Sequence, residues 1–218
     1  MGETYIVKQG DFLGKIAAKF GFANPMTIWD DPQNAKLKQE RKNPNVLFPG
    51  DQLVIPDKKP KQESGATETK LKFELKASKF MLRLILEDAY SKPIANAKCE
   101  LTVEGEVFKL VSNDKGKIEK EIPAKAEKAT LVIKDSVSPI NDQVIPIQIG
   151  HLDPVKELSG QKARLNNLGY FAGPLDKEDE VLFRSAVEEF QCEHMGKAAV
   201  DGKCGPKTQE KLLAVHGC

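Results

Sequence analysis

Along the first 57 residues the apolar positions change period twice. Thr4 to Lys8 reads as a short strand, and then Leu13, Ile16, Ala17 and Phe20 recur at three and four residues, the spacing of one helical stripe, which Gly21 ends. In "WDDPQNAKLKQERK", Asp31 can cap a second helix with Pro32 in its first turn, where the amide hydrogen that proline lacks would have no partner anyway. "QLVIP" supplies a closing strand. The order is β, α, α, β, in a unit so small that its core lies near the lower limit for independent folding.

The pattern then breaks. "DKKPKQESGATETK", from Asp57 to Lys70, has no large apolar residue and reads as a linker. Beyond it Leu71, Phe73, Leu75, Leu82, Leu84 and Leu86 alternate with polar residues, the period of a half-buried strand. The turn signals "SKPIAN", "EGE", "NDKGK" and "SPIND" divide further short apolar runs, a rhythm that predicts an antiparallel sandwich. From Val155 the period is helical again, in Leu165 and Leu168, in Phe183, Ala186, Val187 and Phe190, and in Leu212 with Val215. A boundary is expected between His151 and Pro154. The expected fold class is therefore multidomain α+β: a βααβ unit over 1–57, a linker over 58–70, an antiparallel β-sandwich over 71–150 and a helical unit over 151–218.

Composition narrows the function. With 40% apolar and 30% charged residues the chain is globular in type, and a net charge of +1 leaves no excess to hold a phosphate backbone, so nucleic acid is not expected as a partner. No run of about 18 apolar residues appears, so membrane insertion is not expected. "MGETYIVKQGD" lacks the basic and apolar regions of a secretory signal, which predicts synthesis as a cytoplasmic chain.

Two segments resemble known families. "YIVKQGDFLGKIAAKFG" with "LFPGDQLVIP" is similar to the LysM domain, although "DDPQNAKLKQERKNPN" is longer than the usual middle. The resemblance implies a shallow groove for N-acetylglucosamine-containing glycans, walled by Gly10, Asp11, Phe12 and Leu13 on one side and by Asn45, Val46, Leu47, Phe48 and Pro49 on the other. Exposed backbone groups beside apolar side chains suit the amides, hydroxyls and methyls of such a ligand. Leu13, Leu47 and Val54 can equally be core residues, with Gly10 and Gly50 permitting turns, and for Leu13 and Gly50 that reading is preferred. "RLNNLGYFAGP", "AVEEFQ" and "VDGKCGPKTQEKL" resemble the three-helix peptidoglycan-binding module, with "GPLDKEDEVLF" departing from its second Asp-Gly turn. The implied second glycan surface uses Tyr170, Asp201 and Lys207. The middle segment looks like an Ig-like or carboxypeptidase-regulatory sandwich, through "KPIANAKCEL" and "DKGK", and offers no site residues.

The closing stretch "QCEHMGKAAVDGKCGPKTQEKLLAVHGC" invites a zinc reading, since Cys192 and His194, then Cys204, then His216 and Cys218 are closely spaced. With the three-helix resemblance in place, Cys192 falls at the end of the second helix and Cys204 in the next turn, so a pairing of these two is expected in preference to a metal. Cys99, in an alternating strand, reads as a buried small hydrophobe. No Gly-x-Ser-x-Gly elbow, phosphate loop or H-E-x-x-H helix occurs, and "DKEDE" precedes a helix whose positive end suits it. Neither enzymatic activity nor a cofactor is expected.

The leading expectation is a non-catalytic binder of peptidoglycan or a chitin-like glycan, acting at the cell envelope. The alternative rests on a further resemblance. "IWDDPQN" and "RKNPNVLFPGDQLVIP" joined to such a tail resemble accessory proteins of contractile injection machines such as type VI secretion, which implies a spike or baseplate protein partner and export by the machine.

Overall fold

The computed structural model describes residues 2–58, 79–88, 90, 92–134, 142–177 and 179–218. Three separate apolar cores organise it, and each is enclosed by a different kind of element. The expected linker from 59 onward and the strand around Leu71, Phe73 and Leu75 lie outside the described residues.

In the N-terminal unit, β1 (Glu3–Ile6) pairs antiparallel with β2 (Gln52–Ile55), with Tyr5 opposite Leu53. The stripe of α1 (Leu13–Lys19) places Leu13, Ile16 and Ala17 in the core beside Ile28, Trp29 and Leu53. The middle holds more than the one helix expected. Asn24 accepts from the Met26 amide and Pro25 precedes it, so a short α2 (Met26–Trp29) forms first and seats Ile28 and Trp29. Asp31 then accepts from the Gln33 amide and starts a single 3-10 turn (Pro32–Asn34), which runs into α3 (Ala35–Arg41). Buried Asn34 donates to the carbonyls of Ile28 and Val54 and accepts from the Val54 amide, tying that turn to β2.

The middle unit is a sandwich of unequal layers. β3 (Lys79–Ile85) pairs with β6 (Lys117–Pro123), and facing them lies a four-stranded antiparallel sheet in the order β5 (Glu106–Val111), β4 (Lys98–Val103), β7 (Lys128–Ile133), β8 (Gln143–Gln148). Alternation puts Cys99, Leu101 and Val103 of β4, Ala129 and Leu131 of β7 and Ile118 and Ile122 of β6 into one core. Ser112 is buried just past β5, accepting from the Ala97 amide and donating to the Ile94 carbonyl.

The C-terminal unit packs α4 (Leu158–Asn167), α5 (Glu180–His194) and α6 (Pro206–His216) around Leu165, Ala186, Val187, Phe190 and Leu212. The acidic run does start a helix: Asp179 caps α5 by accepting from the Leu182 amide, with Glu180 in the first turn. The long loop between α4 and α5 is held from the α4 side. Asn166 accepts from the Ala172 amide and donates to the Gly173 carbonyl, while the fully buried Lys162 ammonium donates to the carbonyls of Pro174 and Lys177. Buried Arg164 donates to the carbonyls of Asp153, Gly160 and Cys218. No described helix is long and apolar enough to cross a membrane.

His216 is strained electrostatically by this packing. Its Nε2 lies 3.1 Å from Asn167, its buried Nδ1 has no hydrogen-bond partner among the described residues, and burial, followed by the Arg164 charge, lowers its pKa from 6.5 to about 4. A folded-state value below the unfolded one favours the neutral ring, so the stability it contributes is present above pH 6.5 and is lost as pH falls through 4. We expect the melting temperature of the helical unit to fall more steeply between those limits in the wild type than in His216→Gln. Parallel melting curves for the two proteins across that window would refute this account.

Candidate functional site

The first wall of the expected groove is a turn clasped by Asp11. Its Oδ2 accepts from the Tyr5 hydroxyl at 2.8 Å and from the Lys8 amide at 2.9 Å, and the Asp11 amide donates to the Lys8 carbonyl. Burial, then the hydrogen bond to Asp11, pushes the Tyr5 phenol up to about 12, and the Lys19 ammonium sits 4.4 Å from that ring. Asp11 is therefore engaged within the turn. Leu13 is 1% exposed and belongs to the core, while its amide donates to the Pro44 carbonyl and so joins this wall to the other.

The second wall is fixed by an ion pair that sequence reasoning did not single out. The Asp51 carboxylate takes two hydrogen bonds from Arg41, at 2.8 and 2.7 Å, and accepts from the Phe48 amide at 2.9 Å. Both charges are largely buried, at 10% and 8% side-chain exposure, and the Asp51 hydrogen bond raises the arginine pKa. The aspartate is the one that closes "FPGD". Within this wall Val46 and Leu47 are buried, Phe48 and Pro49 half-buried, and Asn45 exposed, with the Arg41 guanidinium 5.7 Å from the Phe48 ring. Asn45, Phe48 and Pro49 thus present an amide, an aromatic ring and an aliphatic ring to solvent. On the first wall Gly10 is buried and Phe12 is half-buried.

In the helical unit, Tyr170 is 9% exposed and held at the end of α5, where its hydroxyl donates to Glu193 at 2.7 Å and lies 2.9 Å from His194 Nε2. Burial and the hydrogen bond to Glu193 push its phenol upward. Asp201 and Lys207 are exposed, the latter in the first turn of α6.

Asp201 is positioned by Gln191, a residue whose role sequence reasoning missed although it ends the quoted "AVEEFQ". Gln191 is 1% exposed. Its Nε2 donates to Asp201 Oδ1, to the Lys203 carbonyl and to Thr208 Oγ1 at 2.8 to 3.1 Å, and its Oε1 accepts from the Asp201 and Gly202 amides at 3.0 Å. One amide thus shapes the whole "VDGKCG" turn. The hydrogen bond from Gln191, then that from the Lys203 amide, lowers the Asp201 pKa and keeps a carboxylate on the surface.

Cysteine chemistry takes no part in this arrangement. All four cysteines are free thiols, so no disulfide joins Cys192 to Cys204. Cys192 is exposed on α5, whereas Cys204 packs against the helical core, where burial pushes its thiol up to about 11. Cys99 is buried in β4 and burial raises its pKa too. Among the described residues no three His, Cys, Asp or Glu side chains group in a way that could hold a metal ion.

Comparison with protein families finds two matches. The model described as "Putative peptidoglycan binding domain" matches residues 156–212, and the LysM domain model matches residues 5–30. Comparison with curated proteins and with solved structures gives no match. The two matched segments lie in the N-terminal and the C-terminal units of the chain. Neither speaks for a component of an injection machine.

Gln191 provides a test of how the second surface is built. Gln191→Glu keeps the size but replaces the donating Nε2 with a carboxylate oxygen facing the Asp201 carboxylate and the Lys203 carbonyl, both acceptors, so it should cost the helical unit about 2–3 kcal/mol. Denaturant titration of the full chain checks this. A loss below about 0.5 kcal/mol, the range of ordinary surface changes, would mean the amide does not hold the turn.

Proposed function

We propose that this protein is a non-catalytic peptidoglycan-binding protein that works at the cell envelope, with a wall-binding module at each end and a β-sandwich between them. The observation that carries the reading is the pair of family matches, LysM over 5–30 and peptidoglycan binding over 156–212, on one chain. Geometry supports it. The Asn45 to Pro49 loop offers an exposed amide beside half-buried rings, held rigid by the Arg41 to Asp51 pair, and such a surface recognises acetamido sugars without an ionised catalyst. In the helical module a fixed carboxylate, Asp201, lies in the turn that leads into the helix bearing the exposed cation Lys207.

The titratable groups support the non-catalytic part. Burial carries Cys204 to about 11 and Tyr5 to about 12, and holds His216 down at about 4. These shifts lead away from neutrality, whereas a general acid or base works best when its pKa lies near the operating pH. Nothing in the fold or in the matched families favours the injection-machine reading.

The full chain should sediment with purified peptidoglycan at micromolar concentration. Asn45→Ala and Lys207→Ala should each lower the bound fraction about three- to tenfold in apparent affinity, and more together, because two weak sites on one ligand reinforce each other. Wild-type protein left in the supernatant beside a sedimenting LysM control would overturn the proposal. The same mixtures should release no reducing ends or free amines above buffer, and release that grows with protein concentration would make the protein an enzyme.

A further inference from the structure

One wall of the LysM groove is partly covered by the sandwich in the assembled chain. Gly10 is buried, and a Cβ placed on it would lie 2.9 Å from Nε2 of His151, just past the sandwich. Gly150 approaches as closely from its side: a Cβ there would lie 2.7 Å from the Gly10 carbonyl oxygen and 2.9 Å from the Phe12 ring. Both residues have positive φ, +82° and +79°, so glycine is suited to this meeting on backbone as well as steric grounds.

The contact extends along α1. The rings of Phe12 and Phe80 meet edge to face, 5.3 Å apart at 79°, and the Phe80 ring also covers Gly14. Lys15 donates to Glu127 at 2.9 Å and to the Gly10 carbonyl at 3.3 Å. Phe80 lies in β3, Glu127 just before β7, and Gly150 and His151 after β8, so three separate parts of the sandwich converge on one loop. Past His151 the chain is anchored to the helical module, since Arg164 donates to the Asp153 carbonyl, Ser159 to the Asp153 carboxylate and Gln161 to the Val155 carbonyl.

We propose that the sandwich acts as an internal cover of the LysM groove, so that a glycan enters between Gly10–Leu13 and Asn45–Pro49 only when the LysM unit parts from Phe80, Glu127 and the Gly150–His151 segment. The proposal rests on the glycan-binding reading of the LysM unit and adds its regulation. Among the described residues the cover is held by an aromatic pair, a solvent-exposed ion pair and a close backbone approach. Such a contact opens readily, and apparent affinity falls by the fraction of molecules that are open.

The test uses the full chain and a soluble N-acetylglucosamine hexamer, with affinity from calorimetry and amide hydrogen exchange over residues 10–15. Glu127→Lys turns the ion pair with Lys15 into a like-charge contact at an exposed position, Phe80→Ala removes the aromatic contact, and neither residue belongs to the groove. Both variants should exchange faster over 10–15 and bind the hexamer about three- to tenfold more tightly than wild type. Adding Asn45→Ala to Glu127→Lys should cancel the gain, locating it in the LysM groove. Equal affinity in wild type and both variants overturns the cover and leaves the glycan-binding reading intact. Unchanged exchange in both variants overturns it as well. Faster exchange with no hexamer binding in any protein overturns the LysM reading, and the cover falls with it.

Discussion

A side-chain amide or hydroxyl buried against loop backbone is the interaction on which each unit of this chain depends. Asn34 joins the 3-10 turn to β2, Ser112 joins the loop before β4 to the end of β5, and Gln191 holds the turn between α5 and α6. Each is 1–2% exposed. Cores of this size enclose few apolar side chains, and their loops bring unpaired amides and carbonyls close to the interior, where each unsatisfied group costs about 1–3 kcal/mol. A polar side chain that pairs with two or more of them removes several such costs at once. The loop then has one shape.

That constraint determines what kind of ligand surface the chain can offer. The Asn45 to Pro49 loop and the Asp201 turn are shallow, and their shape is set from beneath, by Asp51 with Arg41 in one case and by Gln191 in the other. In both loops the exposed groups are thus held in place by buried partners beneath them.

Much of this was legible from period alone. The α1 stripe, the β4 and β7 alternation and the α5 face all follow from spacing, because burying one face of a helix or strand is a local property of the sequence. The short α2 was not legible. It depends on Asn24 capping and on Trp29 finding the core, and a four-residue helix leaves almost no periodic trace. The candidate residues divide in the same way. Leu13 and Leu47 could be read as core from their apolar character, whereas Asp11 looked available for a ligand until Tyr5 and Lys8 were seen to occupy it. The cysteine spacing left the oxidation state open, and the thiols are free, with Cys204 packed against the core and Cys192 exposed on α5.

The meeting of the LysM loop with the sandwich could not be read from sequence at all, since it joins residues 10–15 to Phe80, Glu127, Gly150 and His151 across separate units. Its balance of forces differs from that of the cores. Within a unit, buried side chains with fully paired backbone resist opening, whereas here the ion pair exposes Glu127 at 63% and is weakened by salt. The same Gly10 turn is internally rigid, clasped by Asp11, and externally only lightly held. The shape of the turn is therefore set from within, by Asp11, and does not depend on the contact with the sandwich.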